Sequence, residues 1–127
     1  MPYPLQTLFR IGLFLGLTVG TWLATAPADS TSSMGFDDKL AHLLAFVALA
    51  ICLDFSFPDS PGGFWRWKGP ALMAYGFLIE LIQYQLPTRS FSLADFVADV
   101  LGLLIYVWLL LPIARRTPLL RRRWESP

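Results

Sequence analysis

The residues of this chain that could do chemistry are ionisable or amide side chains placed inside otherwise apolar stretches. They are Asp38, Lys39, His42, Glu80, Gln83, Arg89, Asp95 and Asp99. Carboxylate and imidazole groups exchange protons or bind cations, whereas ammonium and guanidinium groups bind anions such as phosphate. These residue types therefore predict a ligand-binding site, provided that the fold brings them together.

The rest of the sequence is apolar enough to indicate a membrane protein. Of its 127 residues, 55% are hydrophobic and 15% are charged, and the mean hydropathy is +0.53. A soluble domain of this size would lack the polar residues needed to cover its surface. The formal net charge of +1 argues against broad binding of nucleic acid, so we expect membrane lipids as partners and no nucleic acid.

Four apolar stretches approach the length of about 20 residues that a helix needs to cross a bilayer. They are residues 5–26, 38–57, 69–86 and 92–113. The sequence thus predicts an all-α polytopic membrane protein. Residues 1–114 are expected to form a bundle of four transmembrane helices, and residues 115–127 a basic cytoplasmic tail.

The basic residues predict the orientation, because loops rich in arginine and lysine stay in the cytoplasm. They are Arg66 and Lys68 before the third span, and Arg115, Arg116, Arg121, Arg122 and Arg123 in the tail. With four spans, both termini then lie in the cytoplasm of a multi-pass protein of the inner membrane. The connector that holds Arg89 faces outward.

This topology predicts that the polar residues meet at one depth of the bilayer. At about 1.5 Å per residue from the outer connector, Glu80 and Asp99 lie roughly 10 Å deep and Asp95 lies about 5 Å deep. The second span begins at the same face, where Asp38 and His42 share one side of the helix because they are four residues apart. Three helices are therefore expected to form one polar cluster near the outer face.

Carboxylates inside a span are expected to face the interior of the bundle, because their exposure to lipid costs several kcal/mol. Glu80 and Asp99 fit this description, and Arg89 is their expected partner because guanidinium groups bind carboxylates bidentately. Asp95 also fits an ordinary helix cap, because it stands three residues after a serine. Asp54, near the inner end of the second span, is expected to be solvated.

Several other residues carry expectations about packing. Gly12, Gly16 and Gly20 recur every four residues, which predicts a helix face where another helix, including one of a partner protein, approaches closely. Cys52 stands alone in an apolar run and is expected to pack there. His42 is the single histidine, which excludes a multi-histidine zinc site. The sequence assigns no metal, no cofactor and no catalytic residue.

The order of the polar residues resembles the pattern of the VanZ-like family of small bacterial membrane proteins. The matching positions are Asp38, Lys39, His42, Glu80, Gln83, Arg89, Asp95, Asp99 and Gly102, which together span about half of the chain. The resemblance implies a protein of the cell envelope, because the family's namesake confers resistance to teicoplanin. The family commonly has asparagine at the position of Asp99 and frequently an aromatic residue at that of Leu43. An aspartate in place of asparagine indicates that Asp99 does more than donate and accept neutral hydrogen bonds.

Three functions stay open at this point. The leading hypothesis is a binding protein that recognises a lipid head group or a lipid-linked envelope intermediate at the outer polar cluster, and the sequence leaves open whether the chain catalyses a reaction. The alternative is a metal-dependent enzyme acting on a lipid phosphate, with Asp95 and Asp99 holding a divalent cation one turn apart on one helix. The third is a structural or accessory subunit in which the polar groups only fix the helix register.

Overall fold

The computed structural model of the protein describes residues 3–25, 36–57, 63–86 and 93–116. Within these ranges the chain is helical and contains no strand, which confirms the all-α prediction. The elements are α1 (Tyr3–Thr25), α2 (Phe36–Ser56), α3 (Phe64–Gln85), α4 (Leu93–Ile105), a π-helical turn (Tyr106–Leu110) and α5 (Leu111–Arg116). The last three follow one another without a break and form one continuous helical rod.

Three of the described helical stretches are long and apolar enough to cross a membrane. They are Pro4–Thr25, Lys39–Ser56 and Leu93–Ala114, and they indicate a membrane protein. α3 is of similar length but includes Arg66, Lys68 and Glu80, and it is not among these three candidate spans. The prediction of a fourth span therefore depends on where the charged side chains of α3 point.

α2 lies at the centre of the packing, where its closest neighbours are α4 and α1. The buried core consists of Phe46, Leu49, Ala50, Leu53, Phe64, Leu72, Leu103, Tyr106 and Leu111. Large apolar side chains also cover the outside of the helices, and Phe14, Trp22 and Trp108 are each about two thirds exposed. A surface of this kind suits contact with hydrocarbon rather than with water.

The glycine face of α1 lies against other helices of the same chain. A Cβ atom built on Gly12 would lie 3.3 Å from the Cys52 sulfur, and one built on Gly16 would lie 3.1 Å from a methyl carbon of Leu49. The side of Gly20 faces α3. The close approach that the spacing predicts is therefore made within the chain, and binding of a partner protein through these glycines stays a prediction.

α3 begins at Phe64, five residues before the predicted start of the third span at residue 69. Gly63 precedes it with a φ of 77°, a backbone conformation that glycine adopts without a steric penalty. Phe64 is buried, and its ring centroid lies 5.3 Å from that of Tyr106. Burial of this ring stabilises a helical turn that the sequence alone indicated as part of a connector.

The π-helical turn interrupts the last rod directly before a proline. The N–H group of Leu111 donates to the carbonyl oxygen of Tyr106, five residues earlier, instead of the usual four. Pro112 follows, and a proline ring in a regular helix collides with the carbonyl four residues before it. The wider turn relieves this crowding, so the helix continues through Pro112 to Arg116.

A buried polar network joins α2, α3 and the last rod at one end of the bundle. The Lys68 ammonium donates to Asp54 Oδ1 at 2.8 Å and to the carbonyl oxygen of Phe57 at 2.8 Å, while the Tyr106 hydroxyl donates to Asp54 Oδ2. Asp54 is only 3% exposed, so the expectation that it is solvated was wrong. The reason is that Lys68 belongs to α3 and reaches inward. We call Asp54, Lys68 and Tyr106 the Lys68 network.

Candidate functional site

A second polar group lies at the opposite end of the same helices. Because α2 and α4 both begin where α3 ends, the first turns of α2 and α4 meet the last turns of α3. We call the residues that meet there the His42 cluster. They are Lys39 and His42 from α2, Glu80 from α3, and Asp95 and Asp99 from α4.

The Lys39 ammonium and the Asp95 carboxylate form the ion pair nearest the helix ends. The Lys39 Nζ to Asp95 Oδ1 distance is 2.9 Å. The side chain of Lys39 is 38% exposed, whereas that of Asp95 is 8% exposed. Asp95 therefore has a partner on another helix, which a helix cap alone would not require.

His42 lies between two aspartates of α4. Its Nδ1 atom lies 2.9 Å from Asp99 Oδ1, and its Nε2 atom lies 3.8 Å from Asp95 Oδ2. The two acids are four residues apart, so they project from the same side of α4 and both face the ring. The ring keeps 20% of its surface exposed. It thus connects the ion pair at the helix ends with the deeper acids.

Glu80 and Asp99 are the deepest members of the His42 cluster. Their exposures are 0% and 2%. One nitrogen of His42 and one carboxylate oxygen each of Glu80 and Asp99 all lie within 4.8 Å of one another. Imidazole and carboxylate atoms converging at this spacing form a group that can bind a metal ion or exchange a proton.

Two glycines allow the helices to come this close. A Cβ atom on Gly76, one turn before Glu80, would lie 2.9 Å from Asp99 Oδ2, and one on Gly102 would lie 2.5 Å from the carbonyl oxygen of Leu43. Gly102 is one of the positions that match the VanZ-like sequence pattern, whereas Gly76 is not. The signal that could have identified Gly76 is a small residue four positions before an intramembrane acid.

An open groove of about 670 Å³ runs beside the cluster between α2 and α4. Apolar side chains line it, among them Leu40, Leu43, Leu93, Val97 and Leu101, and Lys39 is the one charged residue among those that line it in the described part of the chain. Leu93 and Val97 are 65% and 48% exposed, so the groove opens to the outside of the bundle. Its volume is within the range of small-molecule sites.

The remaining predicted site residues have other surroundings. The Gln83 side-chain amide donates to the carbonyl oxygen of Ala24 at 3.1 Å, so it ties the end of α3 to the end of α1. Asp38 lies in the first turn of α2, but its side chain lies outside the described part of the structure. Arg89, the expected partner of the acids, also lies outside the described residues.

Five of the eight predicted residues therefore come together, and they offer two kinds of chemistry. Lys39 places an ammonium, bonded to Asp95, at the groove, and the carboxylates of Glu80 and Asp99 form with His42 a group that can attract a cation deeper in the bundle. The VanZ-like resemblance stays a prediction. Comparison of the chain with known protein families, with curated proteins and with solved structures found no match.

Proposed function

We propose that this chain is an integral membrane protein of four spans that binds a lipid with an anionic head group. The head group lies at the Lys39 end of the His42 cluster, and an acyl chain lies along the groove between α2 and α4. The observation that carries the proposal is this groove, which is apolar along its length, open to the outside of the bundle and charged only at Lys39 among its described lining residues.

The placement of the charges on α3 supports a fourth span. Lys68 is 2% exposed and Glu80 is 0% exposed, so both side chains point into the bundle. The outward side of α3 presents Phe77, Leu78 and Tyr84, which are 45%, 53% and 71% exposed. The exposed Arg66 lies in the first turn of α3, where a long side chain can reach the membrane surface, so the helix can face lipid without placing a charge deep in hydrocarbon.

The groove fits a lipid better than a soluble ligand because its open side belongs to helices that can span the membrane. Leu43 and Val97 lie within the candidate spans Lys39–Ser56 and Leu93–Ala114. An occupant between these helices would contact hydrocarbon on its outer side. An acyl chain gains little by leaving lipid for such a groove, so the affinity must come chiefly from the head group.

Lys39 is the group that would recognise the head group. An ammonium has three N–H donors, so the bond to Asp95 is compatible with a further bond to a phosphate oxygen. Asp95 limits the motion of the lysine and so reduces the entropy lost on binding. The side chain of Lys39 is 38% exposed, so its ammonium group is accessible from the groove.

The family-like pattern suggests which lipid the protein meets in the cell. All members of the His42 cluster also belong to the VanZ-like sequence pattern. They are Lys39, His42, Glu80, Asp95 and Asp99. The basic tail, which includes Arg121, Arg122 and Arg123, supports a cytoplasmic C-terminus and hence a cluster at the outer leaflet of the inner membrane. We extend the proposal to a lipid-linked intermediate of the cell envelope, with teicoplanin resistance as the expected phenotype.

Lipid binding is tested by purifying the protein in a mild detergent and titrating phosphatidylglycerol, with phosphatidylcholine as the zwitterionic comparison, under native mass spectrometry. We expect one phosphatidylglycerol per chain at low lipid concentration and weaker binding of phosphatidylcholine. Val97→Trp, which fills the groove, should reduce phosphatidylglycerol binding about 10-fold, a loss of roughly 1.4 kcal/mol.

Val19→Trp is the matched control because Val19 is 49% exposed, as Val97 is 48% exposed, but lies on α1 away from the groove. This variant should bind lipid like the unchanged protein. Equal affinity for the two lipids, or equal loss in the two tryptophan variants, would refute specific binding in the groove. The phenotype is tested separately, by comparing the teicoplanin susceptibility of cells that express the unchanged protein or Val97→Trp.

A further inference from the structure

We propose that His42, Glu80 and Asp99 bind one first-row divalent metal ion of the zinc class between α2, α3 and α4. The sequence excluded only multi-histidine zinc sites, and its metal-dependent alternative placed a divalent cation between Asp95 and Asp99 rather than between these three residues. The inference comes from the way in which three helices bring one imidazole and two carboxylates together.

The spacing of the ligand atoms fits a single ion. One nitrogen of His42 and one oxygen each of Glu80 and Asp99 lie within 4.8 Å of one another, and His42 Nδ1 lies 2.9 Å from Asp99 Oδ1. Two ligands at about 2.1 Å from an ion lie about 3.4 Å apart at a tetrahedral angle and about 4.2 Å apart when they are opposite. Shifts of less than about 1 Å would therefore complete the site.

The surroundings of His42 favour Nδ1 as the ligand atom. A histidine that binds a metal through one nitrogen usually directs its other N–H group at a carboxylate, which fixes the ring and raises its basicity. Nε2 of His42 faces Asp95 Oδ2 at 3.8 Å, and Asp95 is itself held by Lys39 at 2.9 Å. A ring shift of less than about 1 Å would bring Nε2 within hydrogen-bond distance of Asp95 Oδ2, and Asp95 would then act as a positioning residue that aims Nδ1 at the two deeper acids.

The charge of the site also favours a divalent ion. Glu80 and Asp99, at 0% and 2% exposure, are buried more deeply than the ammonium of Lys39, which bonds to Asp95. Two ionised carboxylates and a neutral imidazole are neutralised by one divalent cation, which leaves no net charge in the interior of the bundle. A metal ion bound at His42 Nδ1 would replace the hydrogen bond that joins this atom to Asp99 Oδ1 in the metal-free protein.

The donor set selects among the divalent ions. Imidazole suits zinc and other first-row ions, whereas magnesium prefers an octahedral shell of oxygen atoms and keeps several of its waters. The nearly enclosed acids leave little room for such a hydrated ion. The ring of His42 is 20% exposed, which provides a path for the entry of a small ion.

The test uses the full chain in detergent, with a purification tag that contains no histidine, stripped with a chelator and dialysed against buffered zinc. Elemental analysis should give one zinc per chain, and calorimetry should show much weaker binding of magnesium. Glu80→Gln and Asp99→Asn, which keep the shape of each side chain, should each lower zinc affinity by more than about 100-fold, and Asp95→Asn by about 10-fold.

Cys52→Ser is the control, because a thiol is the other side chain in the described residues that zinc would prefer. It should bind zinc like the unchanged protein, and loss of zinc in this variant would overturn the proposal. Circular dichroism and gel filtration establish that each variant is folded.

X-ray absorption of the unchanged, zinc-loaded protein provides a readout that needs no variant. We expect nitrogen and oxygen ligands at about 2.0–2.2 Å, whereas a sulfur ligand at about 2.3 Å would contradict the assignment. A stoichiometry well below one ion per chain at saturating zinc would also overturn it. The measurement is made without added lipid, so the metal site and the lipid groove succeed or fail independently.

Discussion

The Lys68 network and the His42 cluster lie at two ends of the same helices and differ in how their charges are matched. His42 and Asp54 are 12 residues apart on α2, or about 18 Å along its axis. In the Lys68 network one ammonium meets one carboxylate, and both are almost completely buried. In the His42 cluster the carboxylates of Glu80, Asp95 and Asp99 meet one ammonium and one imidazole.

This difference separates a structural role from a binding role. Removing one partner from a buried, balanced pair leaves an uncompensated charge, so such a pair is required for stability once it exists. In a cluster where several carboxylates lie close together, a bound cation adds stability, and neutralising one of the deep acids relieves repulsion between the carboxylates. The same physical quantity, the free energy of unfolding, should therefore respond in opposite ways to substitutions at the two ends.

The largest loss of stability is expected for Lys68→Met. The variant leaves Asp54 buried without its ammonium partner, and the loss should be about 3–5 kcal/mol in the free energy of unfolding. The measurement is a reversible unfolding titration with dodecyl sulfate in mixed micelles. The double variant Lys68→Met with Asp54→Asn should recover much of this loss, because no charge then stays buried. A double variant as unstable as the single one would contradict the balanced-pair interpretation.

A smaller loss of stability is expected for Gly76→Ala, which introduces a steric contact with the His42 cluster without changing a charge. The new methyl carbon would lie 2.9 Å from Asp99 Oδ2, so Asp99 or α3 must shift. Zinc affinity should fall about 10-fold, and overpacking should cost about 1–3 kcal/mol of stability.

Gly20→Ala is the control for this variant, because its Cβ atom would make only an ordinary contact of 3.5 Å with the Tyr75 hydroxyl. It should keep full zinc affinity and stability. Equal zinc affinity in Gly76→Ala and the unchanged protein would show that the position of Asp99 does not matter for the site.

The smallest effect on stability is expected for Lys39→Gln. Lys39 is 38% exposed, and partly solvated ion pairs contribute about 0–1 kcal/mol. Binding of phosphatidylglycerol should nevertheless fall several-fold, because the variant removes the charge at the groove. The preference for phosphatidylglycerol over phosphatidylcholine should disappear in the same titration. Retention of that preference would place the head group elsewhere.

Much of the helical architecture follows from the sequence, because long apolar stretches leave few alternatives. The start of α3 could not be predicted, because the sequence indicated that Trp65, Arg66 and Lys68 belong to a turn-rich connector, and the burial of Phe64 is visible only in the structure. The π-helical turn depends on how Pro112 is accommodated within an otherwise continuous rod. Composition reports how polar a segment is, but not toward which side its charges point.

The candidate site likewise has features that the sequence predicts and features that depend on helix packing. Counting residues from the connectors predicts correctly that acids on α3 and α4 reach the depth of His42. It does not predict the pairs, because the partner of Asp95 is Lys39 and the partner of Asp54 is Lys68. Pairing depends on the rotation of each helix about its own axis, which packing contacts such as that of Gly102 with α2 determine.

The unfolding free energy of Glu80→Gln in the presence of a chelator tests the central claim most directly. Glutamine keeps the shape of Glu80 and removes one of the three carboxylates of the His42 cluster, so repulsion with Asp99 falls and we expect stability within about 1 kcal/mol of the unchanged protein, or higher. Zinc binding should be lost in the same sample. A loss of about 3 kcal/mol or more, matching Lys68→Met, would show that Glu80 belongs to a structural network and would contradict the account.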